Sequence, residues 1–179
     1  ADATIYQSKW SFKQNKKLGI ASNKNEITII NAPNTSIFNR KNKNPNRSRK
    51  TRLIATSWSK NLKKGFKDYQ WLDNNLDFNY YEMFFVGNSP VKFNNIIHLP
   101  AINSEELSRE LKNSDIYITA SQNDPCSNSL IEALHCGLPA VYLNQGGHPE
   151  IVKKAGLYFN KVEEVPLLIR KIEKEYANY

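Results

Sequence analysis

Residues 120–152, ASQNDPCSNSLIEALHCGLPAVYLNQGGHPEIV, decide how the chain is organised. They follow a hydrophobic run, Ile116-Tyr117-Ile118-Thr119, that reads as a strand, and they pass through a proline-bearing loop into helical spacing. Leu130, Ala133, Leu134 and Gly137 fall at i, i+3, i+4 and i+7 on one packed face, while Glu132 projects from the opposite side, into a cleft or into water. Ser127 and Asn128 are good N-cap types, and Gly137 with Pro139 just beyond supplies the stop. Strand, loop, helix and strand form one unit of an α/β protein, and repetition of that unit along the chain predicts a doubly wound, mostly parallel Rossmann-like sheet.

A helix that opens at the carboxyl end of a parallel strand presents free N–H groups and a positive dipole end, a natural seat for phosphate. Two carboxylates flank that seat: Asp124 in the loop before the helix, and Glu132 about 7 Å along it at a rise of ~1.5 Å per residue. A carboxylate repels phosphate but accepts hydrogen bonds from sugar hydroxyls. The arrangement suits a nucleotide sugar, with its diphosphate on the helix start, one sugar ring near Asp124 and the other near Glu132.

Asp124, Glu132 after seven intervening residues, Ala133, Gly137-Leu138-Pro139-Ala140, Gly146-Gly147 and Pro149-Glu150 together resemble the signature of the retaining GT-B glycosyltransferases of family four. The resemblance extends over nearly the whole chain. It implies that the first carboxylate, Asp124, contacts the donor sugar, and that the second, Glu132, contacts the nucleotide ribose. The first position is usually Glu in that family, so Asp124 is one methylene short. The family also carries an Arg followed five residues later by Lys before Gly, both on the donor diphosphate. Lys64-Gly65 matches the second of these; Ser59 stands at the first, with Lys60 beside it as a substitute. The segment around His98, Leu99 and Pro100 would approach the base through backbone groups. Residues 1–40 would be the tail of an acceptor-binding domain plus the interdomain linker, Asn31-Ala32-Pro33-Asn34, and residues 41–179 the donor-binding domain.

The remaining chain supports that architecture on its own terms. Thr4–Gln7 and Glu26–Ile30 read as short strands around a helical Ser8–Leu18, and Arg52–Thr56 as a strand followed by a helix with Phe66, Tyr69 and Leu72 at core spacing. Lys63 and Lys64 lie in the connecting loop, which faces the same cleft as Asp124. Tyr81–Val86 is a strand that runs into the turn Gly87-Asn88-Ser89-Pro90, again at a carboxyl end. Ile96–Leu99 is a shorter strand. Asn103 and Glu106 have capping-box spacing before a helix with Leu107 and Leu111 on its packed face. Val141–Leu143 reads as a strand, Gly146-Gly147 as flexible backbone near the sugar end of the cleft, and His148-Pro149-Glu150 as a helix start. Val165, Leu168, Ile169, Ile172 and Tyr176 mark a closing amphipathic helix with Pro166 in its first turn. His98, His135 and His148 read more readily as structural histidines than as acids or bases.

Composition limits the classes of function. The 179 residues are 40% hydrophobic, enough for one good core, and the net charge of +8 calls for acidic partners. No run is long enough to span a bilayer, no signal peptide is visible, and Cys126 and Cys136 form no metal-ligand spacing, which predicts a reduced, cytoplasmic protein. Arg40–Arg52 holds seven basic residues and no acidic ones, without an aromatic to stack on bases, so it reads as a solvated linker. That run leaves room for peripheral contact at the inner membrane surface and argues against nucleic acid as a partner.

The function expected from these residues is transfer of a sugar from a nucleoside diphosphate to a saccharide, lipid-linked or protein acceptor with retention, without metal or other cofactor. Lys64 and Asp124 would serve at the reacting end; Glu132, Lys60, Ser127, Asn128, Gly87, Asn88, Leu99, Gly146 and Gly147 would bind the donor. A non-catalytic nucleotide-sugar module and a sugar-nucleotide epimerase of similar architecture are the alternatives.

Overall fold

The computed structural model describes residues 2–20, 24–43 and 50–179. Six parallel strands make the main sheet: β3 (Thr51–Ser57), β4 (Tyr81–Gly87), β5 (Ile97–Leu99), β6 (Ile116–Thr119), β7 (Ala140–Leu143) and β8 (Gly156–Phe159). Their spatial order is β5-β4-β3-β6-β7-β8. The chain thus steps outward from β3 through β4 to β5, returns to lay β6 against β3, and steps outward the other way. The carboxyl ends of β3 and β6 part into a crevice where the winding reverses. Helices α2 (Phe66–Asn75), α3 (Ser104–Lys112), α4 (Asn128–His135), α5 (His148–Val152) and α6 (Val165–Lys174) fill the crossovers and close the edge. The expected doubly wound, parallel architecture is the one observed.

Alternation along the strands sends side chains into two cores. Leu53, Ala55, Met83, Phe85, Ile116 and Ile118 pack on one face with Phe66, Tyr69 and Leu72 of α2 and Val165, Ile169 and Ile172 of α6. Ile54, Phe84, Val86, Tyr117 and Tyr142 pack on the other with Leu107 and Leu111 of α3 and Leu130 and Ala133 of α4. Burial on both faces is what makes these strands read as continuous apolar runs.

A separate two-stranded parallel sheet, β1 (Thr4–Tyr6) with β2 (Glu26–Thr28), carries helix α1 (Lys9–Lys17). Ser8 caps α1 with a complete capping box, and the Glu150 carboxylate accepts from the Lys9 and Trp10 N–H groups at 2.8 and 2.6 Å. Phe38 is buried in the core that α3 and α4 share, and Ser108 Oγ donates to the Ile37 carbonyl at 2.7 Å. Residues 44–49, inside the basic run, lie outside the described residues. Among the described residues no helix is long and apolar enough to cross a membrane.

Two elements differ from expectation. Strand β8 was not anticipated: Gly156-Leu157-Tyr158-Phe159 is a short edge strand with no clear alternation, and its tight approach to β7 depends on Gly156, whose absent Cβ would lie 2.0 Å from the Ala140 carbonyl oxygen. Tyr176 lies beyond α6 in a 3-10 turn, where its hydroxyl donates to the Asp115 carbonyl at 2.8 Å.

Candidate functional site

Three loops meet at the crevice. The loop after β3 holds a 3-10 turn, Leu62–Lys64, capped by Asn61 and ended by Gly65 at φ +85°. A Cβ on Gly65 would sit 2.4 Å from both Cβ and the carbonyl oxygen of Ala120, so only glycine lets this loop press on the end of β6. Two hydrogen bonds fix the approach: Gln122 N–H to the Lys63 carbonyl at 2.7 Å, and Ala120 N–H to the Tyr69 hydroxyl at 3.1 Å. Together they bring Lys64 to the loop after β6.

Lys64 Nζ lies 2.9 Å from Asp124 Oδ2, with side-chain exposures of 35% and 10%. Ser121 Oγ also donates to Oδ2, at 3.3 Å, and the Cys126 N–H donates to Oδ1 at 3.2 Å. The third loop buttresses this one from behind: Gly147 N–H donates to the Asp124 carbonyl at 2.9 Å, and a Cβ on Gly146, at φ +64°, would meet that oxygen at 2.2 Å. Gly146 and Gly147 therefore serve close packing of backbone on backbone rather than flexibility.

The loops after β3 and β6 and the start of α4 enclose a cavity of about 350 Å³ lined by Lys64, Asp124, Ser127, Asn128 and Glu132 among the expected residues. Glu132 is half-buried, and among the described residues its carboxylate accepts no hydrogen bond; burial pushes its pKa up to about 7. It lines a second cavity as well, of about 370 Å³, shared with Asn31, Pro33 and Asn34. The site thus holds one cation tied to one carboxylate, and a second carboxyl poised to titrate near neutrality.

The other expected residues are placed differently. Lys60 is exposed and lies outside the cavity lining. Gly87 and Asn88 support the cavity from outside, Asn88 N–H donating to the Ser57 carbonyl at 2.7 Å and its Nδ2 to the Trp58 carbonyl at 2.8 Å. Leu99, on the β5 edge strand, also stands outside the lining. His98 and His135 each bond a backbone carbonyl. His148 is fully buried, donates from Nδ1 to the Leu143 carbonyl, and has its pKa lowered by burial, which suits a structural role. Sequence reading missed Thr56, Trp58, Tyr69, Thr119 and Ser129 as lining residues. For Thr56, Trp58 and Thr119 the available signal was their position at the carboxyl ends of β3 and β6; Tyr69 and Ser129 reach the cavity from α2 and α4.

A charge-state prediction follows from Glu132. A folded-state pKa above the ordinary value means the folded protein binds a proton more readily than the unfolded chain. This group's contribution to stability is therefore complete below about pH 4.5 and is lost as pH rises through about 7. Replacing Glu132 with Gln is expected to remove that part of the pH dependence, as read from urea unfolding between pH 4.5 and 8.

The family model described as glycosyl transferases group 1 matches residues 92–178. No curated protein sequence matches the chain. Among solved structures, sucrose-phosphate synthase of Thermosynechococcus elongatus is similar with a TM-score of 0.77 at 15% identity, covering 99% of this chain and 50% of that one. Anabaena HepE, solved with UDP-glucose, gives 0.80 at 14% identity over 99% of this chain and 56% of its own. The C-terminal domain of a glycosyl transferase group 1 family protein from Francisella tularensis gives 0.62 at 14% identity, over 80% of this chain and 88% of that one. The chain spans about half the length of the first two. The stretch that matches the family model, residues 92–178, includes Asp124 and Glu132, and the mostly parallel Rossmann-like α/β fold of the chain is the one these solved structures share.

Proposed function

We propose that this chain is the donor-binding half of a retaining glycosyltransferase. The observation that carries the proposal is the pairing, across one cavity at the switch point, of Lys64 and the open start of α4 with a half-buried Glu132 whose carboxylate accepts no hydrogen bond among the described residues. Lys64 and the helix N–H groups take the diphosphate, and Glu132 takes the ribose hydroxyls. Asp124 holds Lys64 in place and offers its remaining acceptor capacity to the donor sugar. In the reaction, the bond from the anomeric carbon to the diphosphate oxygen breaks, the electron pair leaves with the diphosphate, and the acceptor hydroxyl bonds to that carbon on the same face while its proton passes to the departing diphosphate oxygen. Lys64 and the helix dipole stabilise the charge that develops on the leaving oxygen. The HepE complex with UDP-glucose supports a nucleotide sugar as the donor class.

Calorimetric titration with a panel of nucleotide sugars tests the reading, and failure of every one to bind would overturn it. Binding is expected to strengthen as pH rises through about 7, because ribose hydroxyls donate more strongly to the carboxylate form of Glu132 than to its neutral form. A flat profile would remove Glu132 from the ribose.

Binding is also expected to persist in EDTA, since Lys64 and N–H groups meet the diphosphate charge in this proposal. Loss with chelator and recovery with magnesium would replace that picture with a metal bridge. The chain by itself is expected to bind donor without turnover, because in this proposal the acceptor is held in attack geometry by a further domain. We assign the acceptor side, and any contact with a membrane surface, to a further domain. Transfer by the isolated 179-residue chain, followed as released nucleoside diphosphate, would contradict this.

A further inference from the structure

Four hydroxyls stand in a row beneath the cavity. Tyr117, fully buried on β6, donates to Ser129 Oγ at 3.0 Å and lies 2.9 Å from Thr56 Oγ1; Ser129 Oγ lies 3.2 Å from Ser127 Oγ. A phenol has one proton to give. With that proton on Ser129, Thr56 must be the donor to Tyr117, and the Ser129 proton is available to Ser127. The row then runs in one direction, from β3 to the cavity, and ends on a Ser127 hydroxyl that can donate to whatever occupies the space it lines.

The same row accounts for a missing cap. Ser8 of α1 and Asn103 of α3 each accept from the N–H three residues on and complete a capping box. Ser127 is a residue of the same type as Ser8, in extended backbone, yet its side chain makes no cap bond. Among the described residues, the N–H groups of Asn128, Ser129 and Leu130 meet no protein acceptor. A serine cap stabilises a helix, so something must hold this hydroxyl elsewhere.

We propose that Tyr117 is a positioning residue for the anion seat: its buried hydroxyl engages Ser129, and through it Ser127, so that the first turn of α4 and the Ser127 hydroxyl stay free for a diphosphate. This rests on the donor-site reading above. Tyr117 itself is closed off from solvent and stands outside the cavity lining. Burial pushes its pKa up to about 12, so it remains a proton donor at any working pH.

Tyr117→Phe removes one oxygen and keeps the ring, so the fold is expected to survive, as a melting curve will show. In the ligand-free protein, NMR hydrogen exchange at the Leu130 amide is expected to slow about tenfold or more, as Ser127 swings to cap it. Tyr117→Phe combined with Ser127→Gly should restore fast exchange, since glycine has no hydroxyl to cap with. Affinity for inorganic pyrophosphate is expected to fall by about threefold to tenfold in Tyr117→Phe, the loss of roughly one hydrogen bond. Unchanged Leu130 exchange overturns the proposal, and so does slowed exchange with undiminished pyrophosphate affinity. A wild type that binds neither pyrophosphate nor UDP counts against the donor reading itself, while Leu130 exchange still decides whether Tyr117 governs the helix start.

Discussion

Phe85→Ala is expected to lower the free energy of unfolding by about 3–5 kcal/mol, the range for emptying a buried aromatic site. Phe85 is fully buried, and its ring centroid lies 5.7 Å from Phe66, 5.2 Å from Tyr69, 5.3 Å from Phe93 and 5.8 Å from His98. Four rings held by a fifth cannot all move inward to fill its place. The consequence reaches the cavity, because Phe66 and Tyr69 belong to the helix that begins directly after Lys64-Gly65, and the Tyr69 hydroxyl accepts from Ala120. Urea unfolding should show a lower midpoint with an unchanged slope. Nucleotide affinity should fall along with stability. A loss below about 1.5 kcal/mol would show that the surrounding rings collapse over the gap after all.

Asp124→Ala is expected to weaken free nucleoside diphosphate by about 1–3 kcal/mol, and the corresponding nucleotide sugar by at least as much. The reason is geometric. The carboxylate already accepts from Lys64, Ser121 and the Cys126 N–H, three of its roughly four acceptor positions. Its removal frees Lys64 from its place as well as deleting the one position left for a sugar hydroxyl. Calorimetry with both ligands separates the two tasks. A loss confined to the nucleotide sugar would mean that Lys64 holds its position unaided, and undiminished affinity for both would reduce Asp124 to a turn residue.

Much of this was legible from residue order. The packed face of α4, the capping box at Asn103, the core spacing of Phe66, Tyr69 and Leu72, and the direction in which Glu132 points all follow from local periodicity, which the folded chain obeys. What escaped reading depends on partners distant in sequence. Strand β8 has no pattern of its own and exists because β7 pairs with it. Gly146 and Gly147 look like free backbone until the Asp124–Pro125 backbone is found pressed against them. Trp58, 57% exposed beside the cavity, gives no periodic signal at all, and Lys60, which the resemblance brought forward, turns to solvent instead.

Glu150 has a further meaning for the order in which the chain takes shape. Its carboxylate completes the start of α1 from 141 residues downstream. A nine-residue helix is marginal by itself in water, so Ser8 alone leaves α1 only partly formed. At a synthesis rate of ~5–20 residues per second, α1 waits roughly 7–28 s between leaving the ribosome and meeting its second cap. Docking of the first helix is therefore a late event of biogenesis, and a chain stalled before residue 150 should leave α1 open to proteolysis while β3 to β6 are already in place.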